Sequence, residues 1–292
     1  MPLIDMSECY QMTNVGAHID GTDVYQTNPN LLDNPWFTVR QRGDGPFSAN
    51  TPAVDRWRTT SNATITATAN GITLTTTMRT WGMVQRVAKG FFTVGKTYTI
   101  SAMEQDGTIT SASFEWTGSA ISRYVTGANV GFEISVSSSA YEQIYITTNY
   151  TGDVYLKAVK LELGSVSTLA NDTPPDYGTE LLKCQRYFVR LKKLYSIVAT
   201  GYALNATTPC FFAPTPVPLR DGVALTSAIS GLYVAAPSGF RAVSAIAIQN
   251  SGTAYSASGV FFNATTTGLS SGEVCMLQVR DGNGYLDFSA DL

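Results

Sequence analysis

The stretch that decides the fold is Ala63-Thr-Ile-Thr-Ala-Thr-Ala-Asn-Gly-Ile-Thr-Leu-Thr-Thr76. Apolar residues alternate with threonine on both sides of Asn70-Gly71, which is the period of a strand with one buried face. Asn-Gly between two alternating runs is a strong hairpin signal, because both residues tolerate the positive φ of a tight turn. The stretch therefore predicts two antiparallel strands joined at Asn70-Gly71.

Similar short runs continue along the chain, separated by turn residues such as Asp106-Gly107 and Gly152-Asp153. Strands are predicted at 91–94, 97–103, 109–116, 130–136, 143–148 and 154–163. Short strands at regular spacing predict an all-β chain, with a jelly-roll-like β-sandwich over residues 31–172. Residues 1–30 have no clear period, and we interpret them as an N-terminal attachment arm.

A boundary follows at Thr173-Pro-Pro-Asp-Tyr177, where two prolines hold the chain extended. Residues 173–187 are predicted to form a linker and one short helix over 178–187, capped by Thr179. Residues 188–292 return to strands and predict a smaller C-terminal β domain. Within it the proline-rich stretch 209–218 is expected at a sheet edge. The run 242–249 is apolar on both faces, which indicates an oligomer interface.

The composition argues against several classes of function. Charged residues make up 14% of the chain, against about a quarter in ordinary soluble proteins. The formal net charge of −3 gives no electrostatic footprint for nucleic acid, so no nucleic-acid partner is expected. No apolar stretch is long enough to span a bilayer, and no signal-peptide pattern is seen at the start, so membrane insertion and secretion are not expected. The four cysteines lie far apart, which excludes a thiol pair on one turn.

Three pairs of stretches carry a resemblance. The first pair is Asn30-Leu-Leu-Asp-Asn-Pro-Trp-Phe-Thr-Val-Arg-Gln-Arg-Gly43 and Asp55-Arg-Trp57. The second is Val159-Lys-Leu-Glu-Leu-Gly164 and Pro175-Asp-Tyr-Gly-Thr-Glu-Leu-Leu-Lys-Cys-Gln-Arg-Tyr-Phe188, and the third lies at 212–220 and 285–292. These stretches resemble the phrases that open and close domains in phage and prophage tail-fibre or virion-fibre proteins.

The resemblance implies a carbohydrate-binding-module-like sandwich followed by an oligomerising β head. It implies a virion location after synthesis in the bacterial host cytoplasm, a homotrimer, and attachment to other virion proteins through residues 1–30. The expected function is that of a fibre or spike subunit that presents a binding surface for a host-receptor glycan. The alternative is a purely structural head-decoration, collar or baseplate component without receptor binding. A polysaccharide depolymerase is the third reading.

Catalytic motifs are not found in the sequence, and the chain is predicted not to be an enzyme. The only histidine is His18, and no nucleophile elbow, phosphate loop or zinc-protease motif occurs. Glycoside hydrolysis needs only two facing carboxylates. Candidates on or beside predicted strands are Glu104, Asp106, Glu115 and Glu133. Nothing in the sequence brings two of them together.

Sugar binding on a sandwich combines exposed aromatic rings with polar side chains that fix hydroxyl groups. The residues selected for ligand binding are Trp81, Trp116, Arg123 and Tyr124. Tyr141, Tyr145 and Tyr150 supply further rings, whereas Trp57 is expected in the core.

Jelly-roll modules of the kind implied often hold a structural Ca²⁺ through carboxylates near the chain ends. Asp33, Asp44 and Glu162 fall in the corresponding regions, and Ca²⁺ is the one cofactor expected.

Overall fold

The computed structural model describes residues 17–19, 22–24, 27–79, 82–136, 141–149, 151–220, 226–249, 255–256 and 259–290. Strands hold 50% of the chain and helices 5%, which confirms the predicted all-β, sandwich-like class. The chain forms two compact units. Unit 1 comprises Met1–Thr38, Asp44–Pro52 and Trp57–Pro175, and unit 2 comprises Val39–Gly43, Ala53–Arg56 and Asp176–Leu292.

Unit 1 is built from two antiparallel sheets. Its strands are β1 Ala17–Ile19, β2 Thr22–Val24, β3 Phe47–Ser48, β4 Arg58–Thr59, β5 Ala63–Thr68, β6 Gly71–Thr76, β7 Gly82–Ala88, β8 Thr97–Glu104, β9 Ile109–Glu115, β10 Ile121–Tyr124, β11 Val130–Ser135, β12 Tyr141–Thr148 and β13 Gly152–Leu163. One sheet has the order β3-β5-β6-β13-β8-β9 and the other β10-β11-β12-β7-β4, while β1 pairs with β2. The Thr76 and Thr148 hydroxyls, 2.7 Å apart, join the two sheets across the buried interior.

The hairpin predicted from Ala63–Thr76 is confirmed, with its turn one residue earlier. Strands β5 and β6 pair Thr68 with Gly71, so the two turn residues are Ala69 and Asn70. Gly71 has a φ of +135°, and a Cβ at this position would lie 2.0 Å from the Leu156 carbonyl oxygen. Glycine is therefore needed as the first residue of β6, where the backbone of β13 approaches closely.

The strand predicted at 91–94 is wrong. Two turns flank residues 91–93 instead: the Phe91 amide donates to the Ala88 carbonyl oxygen, and the Lys96 amide donates to the Thr93 carbonyl oxygen. The apolar signal came from Phe92, which is 4% exposed and packs its ring edge-on against that of Tyr98 at 5.1 Å. A single buried aromatic residue between two turns therefore gave the apolar pattern of a strand.

A buried ion network closes the end of β13. Lys160 and Glu162 are both 0% exposed. The Lys160 ammonium donates to Asp172 Oδ1 at 2.7 Å and to Thr168 Oγ1 at 2.8 Å, and it lies 3.7 Å from Glu162 Oε2. The Thr168 amide donates to Glu162 Oε1 at 2.8 Å. Buried charges persist only when paired in this way, so the network fixes the chain after β13.

Unit 2 combines one helix with two sheets. Its elements are α1 Tyr177–Gln185, β14 Phe188–Leu191, β15 Ile197–Ala203, β16 Pro209–Pro214, β17 Thr226–Ser230, β18 Leu232–Ala236, β19 Gly239–Ala242, β20 Ala245–Ile248, β21 Tyr255–Ser256, β22 Gly259–Thr265, β23 Val274–Val279 and β24 Tyr285–Ser289. The smaller sheet has the order β14-β24-β17. The larger has the order β19-β18-β23-β15-β16-β22-β20, with β21 also paired to β22.

Helix α1 is present where it was predicted, but its cap differs. The N-cap is Asp176, whose carboxylate accepts a hydrogen bond from the Thr179 amide at 2.8 Å. This hydrogen bond lowers the pKa of Asp176, because it favours the ionised carboxylate. The choice of Thr179 as the cap was wrong, since Thr179 lies inside the first turn.

Two strand predictions in unit 2 are corrected. Strand β16 is not at an edge, because it pairs with both β15 and β22. Its prolines, Pro209 and Pro214, stand at its two ends, where the missing amide hydrogen costs the sheet least. The run 242–249 divides between β19 and β20, and Ala245 and Ala247 are exposed rather than buried on both faces.

Two short segments from early in the sequence belong to unit 2, although 31–172 was predicted as one domain. Asp55, 0% exposed, accepts hydrogen bonds from the side chains of Gln41 at 2.8 Å and Arg42 at 3.2 Å. Gln41 also donates to the Phe188 carbonyl oxygen at 2.8 Å, and the Arg42 guanidinium lies 3.5 Å from the centre of the Phe188 ring. Arg56 stacks in the same way on Tyr187 at 3.4 Å. Residues 39–43 and 53–56 therefore belong to unit 2.

Candidate functional site

The five-stranded sheet of unit 1 has one apolar and one polar face. On one side Met83, Phe132, Ile134, Ile144 and Ile146 are 0–2% exposed and belong to the core. Because successive residues of a strand point to opposite faces, their neighbours lie on the other side of the sheet. The polar residues on that side, here named the polar face, are Arg86, Ser122, Glu133, Ser135, Tyr141, Gln143 and Tyr145, and the buried Val84 lies among them opposite Tyr145.

Strand register places the polar face in adjacent rows. Glu133 lies opposite Tyr145 on the neighbouring strand, and Ser135 lies opposite Gln143, which in turn lies opposite Arg86. Side chains directly opposite in an antiparallel pair have Cβ atoms about 5 Å apart. The face therefore gathers rings, an amide, a hydroxyl and charges of both signs within the span of a small ligand.

Direct contacts hold these groups in place. The Ser135 hydroxyl donates to Gln143 Oε1 at 3.4 Å, and Gln143 is 7% exposed. The Arg86 guanidinium lies 4.7 Å from the centre of the Tyr141 ring. Both contacts restrict flexible side chains before a ligand arrives, which lowers the entropic cost of binding.

Tyr145 lies at the centre of this arrangement. Burial raises the pKa of the Tyr145 phenol; the hydrogen bond with Ser135 opposes the shift, the negative charge of Glu133 adds to it and the positive charge of Arg86 again opposes it. Strand register agrees with this, because Glu133 lies opposite Tyr145, and Ser135 and Arg86 both lie opposite Gln143, the next residue of β12 on the same face. The neutral phenol is thus kept as a hydrogen-bond donor and acceptor beside its ring.

The ring predicted for stacking at Trp116 is not exposed. Trp116 is 2% exposed, and its ring centre lies 4.9 Å from that of Phe92. The prediction for this residue is wrong, because the ring fills the interior of unit 1 with Phe92, Tyr98 and Phe114. Trp57, predicted in the core, is 1% exposed and donates through its indole nitrogen to the Asn34 carbonyl oxygen.

The other selected ligand residues have different outcomes. Arg123 is exposed, and it lies in register with Phe132 on the side of the sheet opposite to the polar face. Tyr124 ends β10 in register with Gly131, a backbone position on the polar side. Trp81 lies outside the described residues. The structure therefore does not bring Arg123 to the polar face.

The residues selected for Ca²⁺ have other contacts. The backbone of Asp33 exchanges hydrogen bonds with the Gln85 amide, and the Asp44 carbonyl oxygen accepts from the Ala67 amide. Glu162 faces the ammonium of Lys160. Across the described ranges, no group of three or more His, Cys, Asp or Glu side chains could hold a metal ion. The calcium site stays a prediction.

Of the carboxylates weighed for hydrolysis, one lies on the polar face. Glu133 is there, whereas Glu104 and Glu115 belong to strands β8 and β9 of the other sheet, and Asp106 follows β8. Glu104 accepts a hydrogen bond from Asn129 Nδ2 at 2.7 Å. Among the described residues of β4, β7 and β10–β12, Glu133 is the only carboxylate on this face.

The sequence does contain a signal for the polar face. In Tyr141-Glu-Gln-Ile-Tyr145 the alternate residues are tyrosine, glutamine and tyrosine, and these share one side of a strand. That pattern could have favoured Tyr141 and Tyr145 over Trp116. The contribution of Arg86 could not be found in this way, because it depends on which strands are neighbours.

No protein-family model, curated protein or solved structure matches the chain. Within the described residues, no helix has the length and apolar character needed to cross a membrane. The surfaces of the two units are therefore the structural basis for a functional proposal.

Proposed function

We propose that the chain is a non-enzymatic structural subunit of a phage virion, a fibre or spike protein whose unit 1 binds a glycan on the host surface. Residues 1–30 would attach it to other virion proteins, and unit 2 would assemble it. The resemblance of the sequence phrases to virion-fibre proteins supports the location. The polar face supports the binding function, and it is the observation that carries the proposal.

The chemistry of the polar face suits a carbohydrate. A pyranose has an apolar ring face and a rim of hydroxyl groups, and it needs a ring to stack on and polar groups to fix the rim. Tyr145 and Tyr141 supply the rings. Gln143 supplies an amide, and Arg86 and Glu133 supply a charged donor and a charged acceptor. The face combines both requirements on rigid strands rather than on loops.

Binding is favoured over hydrolysis. Cleavage of a glycosidic bond uses two carboxyl groups roughly 5–9.5 Å apart. Glu133 has no second carboxylate beside it among the described residues of this face. We therefore prefer a binding protein to a polysaccharide depolymerase.

The proposal is tested by replacing Tyr145 with alanine and measuring binding of the purified chain to an array of bacterial surface polysaccharides. We expect Tyr145→Ala to weaken binding by on the order of tenfold or more, because the stacking ring and its hydroxyl are lost together. Tyr155→Ala is the matched control. Tyr155 is 49% exposed and lies on β13 in the other sheet of unit 1, so binding should be unchanged.

Two results would count against a glycan-binding face. One is a wild-type chain that binds no polysaccharide on the array, which would favour the purely structural component without receptor binding. The other is equal loss of binding in both variants. Release of reducing ends from a bound polysaccharide would instead favour the depolymerase.

A further inference from the structure

The outer face of the larger sheet of unit 2 is apolar and exposed. On strand β23 Val274 and Met276 are 67% and 41% exposed, while Cys275 and Leu277 between and beyond them are fully buried. Tyr202 lies opposite Val274 on β15 and is 52% exposed. One side of the sheet thus covers the core of unit 2, and the other presents large apolar side chains.

This face continues across the sheet. Met276 is in register with Ala235 on β18, which is in register with Phe240 on β19. In the other direction Thr200 and Phe212 lead to Phe261 on β22, whose ring lies 4.8 Å from that of Phe212. The five most exposed members, here named the apolar face, are Tyr202, Phe240, Phe261, Val274 and Met276.

The area of the apolar face matches that of the largest apolar patch on a typical monomer. With about 200 Å² for a fully exposed large side chain, the five members expose roughly 500 Å². The largest apolar patch on a typical monomer is about 300–600 Å² and is often functional. The part-exposed Phe212 and Tyr233 and the exposed Ala242, Ala245 and Ala247 border it on the same sheet. A stable interface buries roughly 800 Å² on each partner, so the five members and this border would form the apolar centre of such a contact.

The chemistry of the apolar face excludes a sugar as its natural occupant, because its five members offer one hydroxyl and no charge. Large exposed apolar side chains gathered on one surface are typical of the interfaces of permanent homomers rather than of transient complexes. The low share of charged residues in the whole chain, 14%, is also compatible with large subunit contacts.

The charges at the two ends of β23 favour another copy of the same chain. Glu273 precedes the strand; its carboxylate accepts hydrogen bonds from the amides of Ser270 at 3.0 Å and Ser238 at 2.8 Å. These bonds lower the pKa of Glu273 and keep it ionised. Arg280 follows the strand, with its guanidinium 3.6 Å from the centre of the Phe240 ring. The negative end of β23 in one copy can therefore meet the positive end in the next.

We infer that the apolar face of unit 2 is the surface through which the chain binds further copies of itself. The inference deepens the proposed function by naming the partner of unit 2. It stands apart from glycan binding, because the polar face belongs to unit 1. A chain that assembles without binding polysaccharide would support this inference while contradicting the receptor function.

The test is the solution mass by light scattering of the full chain and of the Val274→Lys/Met276→Lys variant. Wild type should have a mass of at least twice 31.4 kDa, and the variant should fall to 31.4 kDa. Lysine on a sheet surface prevents association at little cost to the fold, because both positions are exposed. Tyr202→Lys is a second variant with the same expected outcome.

Val94→Lys is the matched control, since Val94 is 66% exposed but belongs to unit 1. Its mass should equal that of wild type. Circular dichroism checks that each variant is folded. The inference is overturned by a wild-type chain that is monomeric at every concentration, or by a folded double variant that keeps the wild-type mass.

Discussion

At the scale of single residues, Lys160 shows how unit 1 depends on the pairing of a buried charge. Its ammonium is 0% exposed and depends on Asp172, Thr168 and Glu162 for every contact that replaces water. Replacing all the charged residues of such a buried network by apolar residues often leaves the stability unchanged or raises it. Removal of one charged member is strongly destabilising, because it leaves the opposite charge buried without a counterion.

Lys160→Met should therefore destabilise unit 1 by about 3–5 kcal/mol. All four tryptophans of the chain, at positions 36, 57, 81 and 116, belong to unit 1, so urea denaturation followed by tryptophan fluorescence reports on that unit alone. The exposed Lys96→Met is the control and should change the midpoint by less than about 0.5 kcal/mol. Equal midpoints for Lys160→Met and wild type would show that the buried carboxylates do not need this cation.

At the scale of elements, the β5–β6 hairpin depends on a close approach to β13. Gly71 has a positive φ and would place a Cβ 2.0 Å from the Leu156 carbonyl oxygen. Gly71→Ala should destabilise unit 1 by more than the roughly 1 kcal/mol of backbone strain alone, because β6 must also move away from β13. Gly90→Ala is the control: it has a φ of +79° and nothing within 4 Å of its Cβ, so it bears only the strain. The same fluorescence midpoint compares them, and a smaller loss for Gly71→Ala would contradict the close contact.

The elements also show how far the sequence predicts this structure. The alternating runs predicted β5, β6, β8, β9 and β11–β13 to within one or two residues. A strand with one buried face alternates apolar and polar residues in its own sequence, so it can be recognised without knowing its neighbours. The central position of β16 and the neighbours of β12 depend on pairing between distant segments. No local pattern records that pairing, so the polar face was found only in part. The burial of Trp116 could not be predicted for the same reason, since it comes from contact with Phe92 in an irregular segment that precedes β8.

At the scale of the whole molecule, Asp55 links an early part of the sequence to unit 2. It accepts from Gln41 and Arg42, and Gln41 also binds the backbone of Phe188 in β14. Asp55→Ala should destabilise unit 2 by about 3 kcal/mol, because charged hydrogen bonds in a buried position are lost. Hydrogen–deuterium exchange should become faster in β14 and β24 and stay unchanged in β5 and β6. Faster exchange confined to unit 1 would contradict the assignment of Asp55 to unit 2.

The discontinuity of unit 2 also sets an order for synthesis on the ribosome. Residues 39–43 and 53–56 leave the ribosome long before Tyr187 and Phe188, their ring partners, have been made. Most of unit 1 is translated in between, so its sheets can form first, while these two segments still lack their partners in unit 2. Unit 2 is completed last, after the C-terminal strand β24 has been released. A chain that stops short of β24 would carry a finished unit 1 but no completed unit 2 with which to join an assembly.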